Sequence, residues 1–436
     1  MSKNKFVNIL LFIMIIEIFL GGSGKIFNVP IRIGLLLLML IITLIYIVKY
    51  KPEIPKNLIV GIFILWIYCA CWVILGVIKG NSILYSLNDV TNFFSIIYIV
   101  IILVLTKSNK KAFKLIITNL KTCMLLLSIV TIILFVGSYI GTFFDINIGS
   151  MLEWFNNTTN YGIITGALYN FKFARVYFVG GIFMQVSLAF FIYDILNKNR
   201  VRDYIYTVII LFGIFSSSTR GYWIGAVIVI LMMIIMTNKK QKIRIAKVLL
   251  VVSVIFSPIV FTPFFKNEVI NRVISVSDFS KDVSNQTRTI QIEYMMDKIK
   301  EKPLLGSGFG ANLTEYEVET GLSGRTFEIY YLEIVYKTGI LGMLILLSIF
   351  LIPFYFMFKN VIFNKNILEE DKELLKSLVI GAISAIITGI TNPYMQGTIG
   401  IFIIVLMICG YFIVNENTEK INFENNKWLK INFRKN

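Results

Sequence analysis

The sequence predicts an all-α polytopic membrane protein, and three observations carry that expectation. Of its 436 residues, 57% are hydrophobic and only 15% charged, against roughly a quarter charged in soluble domains. The apolar residues gather into repeated blocks of about 17–22 residues, the length a helix needs to cross a hydrocarbon core of roughly 30 Å. Lipid offers no partner to a backbone N–H or C=O, so such blocks must be helices. Lys and Arg sit in short runs between the blocks rather than along one stripe. The net charge of +17 therefore encodes topology, not affinity for nucleic acid.

About 12 transmembrane helices follow, at roughly 6–20, 33–48, 58–78, 91–106, 122–140, 176–196, 205–218, 222–237, 248–265, 339–358, 377–391 and 396–414. The first, Phe6 to Leu20, lacks a small-residue cleavage site and reads as a retained helix. The serine-ended block at 205–218 is the shortest, so the span count is least fixed across 205–237. With the N-terminus inside, the basic runs Lys49/Lys51/Lys56, Lys107/Lys110/Lys111/Lys114, Lys198/Arg200/Arg202 and Lys239/Lys240/Lys242/Arg244/Lys247 all fall on the cytoplasmic side. The expectation is one domain, 1–436, in the cytoplasmic membrane with both termini cytoplasmic.

Two predicted outer segments are long, about Thr142 to Arg175 and 266–338, and long loops in compact folds tend to be functional. The second is the large extracytoplasmic loop between spans nine and ten. It contains an amphipathic helix: Ile292, Met295, Met296 and Ile299 recur at i, i+3, i+4 and i+7. Pro303 ends that helix, and Gly306-Ser307-Gly308-Phe309-Gly310 makes a tight turn.

The chain contains no histidine, which removes His-based metal sites, general bases and triads. Its four cysteines (Cys69, Cys71, Cys123, Cys409) all lie inside apolar blocks, where a thiol behaves as a small apolar group. No metal or other cofactor is expected.

Four residues stand out as candidates for chemistry. Arg220 lies in Ser216-Ser217-Ser218-Thr219-Arg220-Gly221-Tyr222-Trp223, a polar break between two apolar blocks. An Arg at such a helix mouth is costly unless paired or wet; the plainer alternative is an interfacial anchor beside an aromatic belt of Tyr222 and Trp223. Arg175 immediately precedes the block Val176–Leu196, and Arg288 continues the apolar stripe 288, 292, 295, 299 of the loop helix. Three arginines converging on one outer face would hold a diphosphate, because a guanidinium fork bonds phosphate oxygens bidentately. Glu328, just before the next apolar run, is either a general base or the ion-pair partner of Arg325 or another loop cation. Glu17 and Gln185, alone inside spans, read as interhelical bonds.

These pieces resemble the O-antigen ligase and oligosaccharide repeat-unit polymerase (Wzy-like) superfamily. Its central element is similar to Ser218-Thr219-Arg220-Gly221-Tyr222-Trp223, and its Arg-opened loop helix ending in Pro-x-x-Gly-x-Gly to Arg288 through Pro303-Leu304-Leu305-Gly306-Ser307-Gly308. Its His-Asn-x-x-Leu element and following Gly-x-x-Gly align with Glu328-Ile329-Tyr330-Tyr331-Leu332 and Gly339-Ile340-Leu341-Gly342, and its upstream Arg with Arg175. The resemblance covers roughly 170–360. Ligases of this superfamily carry a His where this chain has Glu328, which favours polymerase over ligase.

The resemblance implies a metal-independent glycosyltransferase polymerising undecaprenyl-diphosphate-linked oligosaccharide repeat units on the outer face of the membrane. Arg220, Arg288 and Arg175 would then bind the diphosphate, Glu328 would orient or deprotonate the acceptor hydroxyl, and Tyr330 and Tyr331 are candidate sugar contacts, with packing the alternative for at least one. Expected partners are the lipid-linked oligosaccharide, membrane lipid, a flippase and a chain-length regulator, with no nucleic acid. The rivals are a ligase handing finished glycan to a terminal acceptor and a lipid-linked oligosaccharide flippase. A transporter would show interrupted spans in repeated halves; this chain concentrates its polar residues in one large loop.

Overall fold

The computed structural model describes all residues except 1–2, 107–108, 142, 169–172, 262–282, 364–366, 391 and 433–436. Each predicted span coincides with helix over most of its length. The first half of the chain forms α1 (Lys3–Leu20), α2 (Ile31–Tyr50), α3 (Lys56–Ile78), α4 (Ile83–Val90), a 3-10 turn (Thr91–Ile97), α5 (Tyr98–Thr106), α6 (Lys110–Gly141), α7 (Ile148–Thr159) and α8 (Ile182–Lys198). The second half forms α9 (Val201–Ser216), α10 (Arg220–Ile235), α11 (Lys239–Phe261), α12 (Val283–Glu301), α13 (Thr314–Thr320), α14 (Tyr330–Phe363), α15 (Glu369–Thr388) and α16 (Thr398–Asn432). The protein is an all-α polytopic membrane protein. Among the described residues seven helical stretches are long and apolar enough to cross a bilayer, and Phe6–Leu20 and Arg220–Ile235 are shorter apolar helices. Lys107, Thr142, the end of the ninth predicted span at 262–265 and the start of the large loop from Lys266 lie outside the described residues.

The helices sort by environment. The apolar window of α8 is 89% buried and that of the span in α16 78%, whereas α2 is 11% and α14 17% buried. α8 thus forms the centre, packed against α15, α9, α10 and α6. α2 and α14 turn Leu37, Ile41, Leu44, Leu344 and Leu351 outward, as a face bathed in hydrocarbon requires. Lone polar residues inside spans meet across helices: Glu17 Oε2 lies 3.0 Å from Arg32 Nε, and Gln185 Nε2 donates to Thr388 Oγ1 at 3.2 Å.

Two local expectations are corrected. The helix expected from Val176 starts only at Ile182; residues 163–168 and 173–178 instead form an antiparallel hairpin, β1–β2, pairing Gly166 with Arg175. The β-branched and aromatic run around Val176 favours a strand once an edge is available to pair with. The buried face of α12 also differs from the predicted stripe. Gln291, Met295 and Ile299 are buried, while Ile292 and Met296 are exposed. α12 packs its inner face on α14 and, with Leu313, Tyr316, Phe327 and Tyr336, encloses a small second core.

One span is broken, and the break explains the glycine turn. Gly339 in α14 has φ 68° and ψ −179°, which no helix tolerates. Carbonyls freed there are taken up from outside: Ser307 N–H donates to Tyr336 O, Gly308 N–H to Lys337 O and Trp72 Nε1 to Thr338 O. The freed amides of Ile340 and Leu341 donate to the carbonyls of Pro303 and Leu304. Buried backbone groups freed from a helix must find partners within the protein, and the glycine turn supplies them. It can do so because Gly308 (φ +82°) lies so close to α3 that a Cβ would sit 2.3 Å from Gly76 Cα.

The connecting segments gather at two ends of the bundle. At one end the basic runs pair with acidic residues near helix ends: Lys114 with Glu370 at 2.5 Å, Lys198 with Asp194 at 2.8 Å, Arg200 with Asp203 at 3.0 Å. At the other end, residues 21–30 bond to the start of the hairpin through Ser23 N–H to Tyr161 O, the 79–90 segment grips the glycine turn, and the 386–396 turn meets both α10 and α14. This second end carries the candidate site.

Candidate functional site

The site is built around α12, the glycine turn and the start of α14. Arg288 opens the described side chains of α12's inner face, one turn before Gln291, Met295 and Ile299. Glu328 lies in the segment entering α14, where its backbone N–H donates to Gln291 Oε1 at 3.0 Å. The two come together: Arg288 Nε is 2.8 Å from Glu328 Oε2, with the Arg side chain 17% exposed and the carboxylate 40%. The approach is an ion pair rather than an aligned hydrogen bond. Arg325, the other cation considered for Glu328, places its guanidinium 3.9 Å over the Tyr85 ring instead. A guanidinium that can hold phosphate oxygens thus touches a carboxylate that can accept a proton.

Arg220 is the first residue of α10, after a turn in which Ser218 takes φ 51° and Thr219 Oγ1 donates to Ser217 O. Its helix mouth is wedged against the 386–396 turn: Thr388 Oγ1 donates to Gly221 O at 3.1 Å, and a Cβ on Gly221 would lie 2.6 Å from Asn392 Nδ2. Tyr222 is fully buried, donates to Phe178 O and packs on Tyr394 at 5.3 Å. An aromatic belt in the headgroup layer is therefore not its role. Trp223 stacks flat on Phe215 at 5.5 Å.

The same turn reaches α14. Tyr331 OH donates to Ile386 O at 2.9 Å, and Gln396 Nε2 donates to both oxygens of Glu333 at 3.3 and 3.1 Å. Arg220 and the Arg288–Glu328 pair are hence on the same end of the bundle, linked through contacts of Ile386, Thr388, Asn392 and Gln396. Arg175 sits on β2, at the strand that runs into the Tyr222 contact; its side chain lies outside the described residues. Tyr330 is buried in the main core, 8% exposed, and Tyr331 is held by its hydroxyl, so both rings are engaged in packing.

Behind these residues lies a charged cluster that the sequence reading passed over. Lys337, 1% exposed, is 2.6 Å from Glu333 Oε1 and 3.0 Å from Asp89 Oδ2, and donates to Arg325 O at 3.1 Å. Asp89 also accepts from Gly310 N–H at 2.7 Å. One lysine therefore ties together α4, the glycine turn, the Glu328 segment and, through Glu333 and Gln396, the turn beside Arg220. A signal was available: Glu333 and Lys337 are a carboxylate and an amine four apart at the head of an apolar run, and ionisable residues at membrane depth face inward and pair.

The fold and this end define a multi-pass membrane protein with a buried charged cluster at one end. The model of the O-antigen ligase family matches residues 205–347, from α9 to the first half of α14. The match is consistent with the Wzy-like and O-antigen ligase superfamily that the motifs resemble, and it supports a membrane glycan-processing function. It includes Arg220, Arg288 and Glu328. No curated protein matches the chain.

Proposed function

We propose that the protein is a membrane glycosyltransferase that joins lipid-diphosphate-linked oligosaccharide repeat units, acting as a polymerase on undecaprenyl-diphosphate donors. The observation that carries this reading is the meeting of Arg288 and Glu328, 40 positions apart in the chain, at 2.8 Å and within the matched region. In the proposed step the bond between the donor's anomeric carbon and the diphosphate oxygen breaks, and the lipid diphosphate leaves with the electron pair. Arg288 and Arg220, with Arg175, stabilise the charge it gains. The acceptor hydroxyl oxygen bonds to the anomeric carbon, and its proton passes to Glu328 and then to water. The chain's own polar groups do this work without a metal in the proposal.

The family description favours a second reading, transfer of finished glycan to a terminal acceptor. Glu328 standing where ligases carry a His favours polymerisation. Membranes supplied with single lipid-linked units separate the two: ladders of increasing length indicate a polymerase, and a single product on a different acceptor indicates a ligase.

Substitutions test the site. Arg220→Ala and Arg288→Ala should each abolish product while protein level and lipid-linked substrate persist, and Lys should rescue poorly because it loses the bidentate fork. Glu328→Gln should retain substrate binding and lower turnover by about 10²–10⁴-fold, the usual contribution of a positioned base. Near-normal product from Glu328→Gln would reduce that residue to an ion-pair partner.

A further inference from the structure

A recess opens at the same end, beside residues 392–394. It is a cleft of about 310 Å³ between the 22–32 segment, the 3-10 turn after α4, β2 and the start of α16. That volume falls at the lower end of the range of about 300–1,000 Å³ typical of small-molecule sites. Its walls include the tyrosines Tyr177 and Tyr394, the amides Asn92 and Asn392, and the hydroxyl side chains Ser23 and Thr398.

The charge of this cleft is as informative as its shape. Arg32 lines it, but its Nε lies 3.0 Å from Glu17 Oε2 and its Nη2 donates to Gly22 O, with both side chains about a tenth exposed. The pair is neutral as a unit, and its burial holds the guanidinium plane fixed. An anion would gain little here over water. A polyhydroxylated, uncharged molecule would find amide groups that both donate and accept, together with ring faces against which C–H surfaces pack.

The wall of the cleft reaches the head of α10. Asn392 and Tyr394, which line it, are the residues that touch Gly221 and Tyr222 directly. Sugar in the cleft would therefore lie beside the helix mouth assigned to the diphosphate.

We propose that this cleft binds the glycan portion of the substrate as an uncharged sugar subsite, with Asn92, Asn392, Tyr177 and Tyr394 as its contacts. The proposal rests on the glycosyltransferase reading for the identity of the ligand. Sugar could arrive on the donor, still attached to lipid, or as the free end of the acceptor; the chemistry of recognition is the same.

Saturation-transfer NMR on the full chain in lipid nanodiscs tests it. The probes are the producing cell's repeat-unit oligosaccharide released from its carrier, the same unit still on its lipid diphosphate, and inorganic pyrophosphate. Sugar protons should receive saturation from the wild type. Asn92→Ala should weaken affinity about tenfold, the effect of one lost hydrogen bond at the upper end of its usual contribution, and Asn92→Trp, which fills the cleft, should abolish the transfer. Binding of the released oligosaccharide assigns the cleft to the acceptor, and binding of only the lipid-linked unit assigns it to the donor. Unchanged transfer in Asn92→Trp, or displacement of the sugar by pyrophosphate, overturns the proposal. Sugar binding lost in Asn92→Trp while Arg220→Ala and Arg288→Ala both retain product would instead overturn the catalytic reading and leave the cleft intact.

Discussion

The two ends of the helix bundle differ in where their ion pairs place the cation. At the basic end, Lys114, Lys198 and Arg200 keep their side chains 36%, 48% and 42% exposed; Glu370 is exposed as well, while Asp194 and Asp203 are buried beneath their cations. At the site end, Lys337, Glu333 and Asp89 are drawn into the protein beside a broken helix and a glycine turn. A pair exposed on both sides contributes about 0–1 kcal/mol, so Lys114–Glu370 tolerates change. Breaking a buried pair leaves an uncompensated charge at a cost of about 3–5 kcal/mol, so the second end specifies one geometry. At one end the cations stay exposed, and at the other a buried lysine ties the loops together.

The sharpest test is whether the two ends face opposite sides of the membrane. A cysteine placed at Glu317 should react with an impermeant thiol reagent added to intact cells, and one at Lys240 should not. Labelling at Lys240 would break the comparison at its root, because the loops would no longer sort by side.

Next in size is the buried cluster. Lys337→Met should cost about 3–5 kcal/mol, seen as loss of monodisperse protein in detergent or a large fall in melting temperature. Adding Glu333→Gln should recover part of it by removing one stranded carboxylate. Equal stability of the single and double variants would mean that Lys337 does not organise the site end through Glu333.

The glycine turn comes third. Gly308→Ala should be worse than Gly321→Ala, although both glycines have positive φ, because only at Gly308 would the new Cβ strike backbone. Backbone strain alone contributes about 1–3 kcal/mol at either position, and the difference in melting temperature isolates the contact with Gly76.

The smallest effect is expected at the basic end. Lys114→Ala should shift stability by no more than about 1 kcal/mol. The hydrogen bond from Lys114 holds the Glu370 carboxyl below its ordinary value. That stabilisation is therefore present above the ordinary carboxylate range and fades as the pH falls through the folded value. The difference in melting temperature between wild type and Lys114→Ala should shrink in acid.

Composition and spacing alone determined a great deal of this protein. Apolar block length located the helices because a bilayer admits few other structures. The interruption at 216–223, the stripe on α12 and Glu328 before its span stood out because polar groups are conspicuous in an apolar chain. The same local reasoning misplaced the hairpin at 163–178, whose strands become favourable only when paired, and misassigned Ile292 and Met296, because helical periodicity does not say which side of the stripe meets a neighbour. Only the tertiary structure decided that Glu328 meets Arg288 rather than Arg325, and that Trp72 and the glycine turn satisfy a helix broken at Gly339. It likewise brought Asp89 onto Lys337 from 248 positions away and gathered Arg32, Asn92 and Tyr394 around one cleft. Those pairings join segments far apart in sequence, and their energies depend on distance and burial, which exist only after the helices have packed.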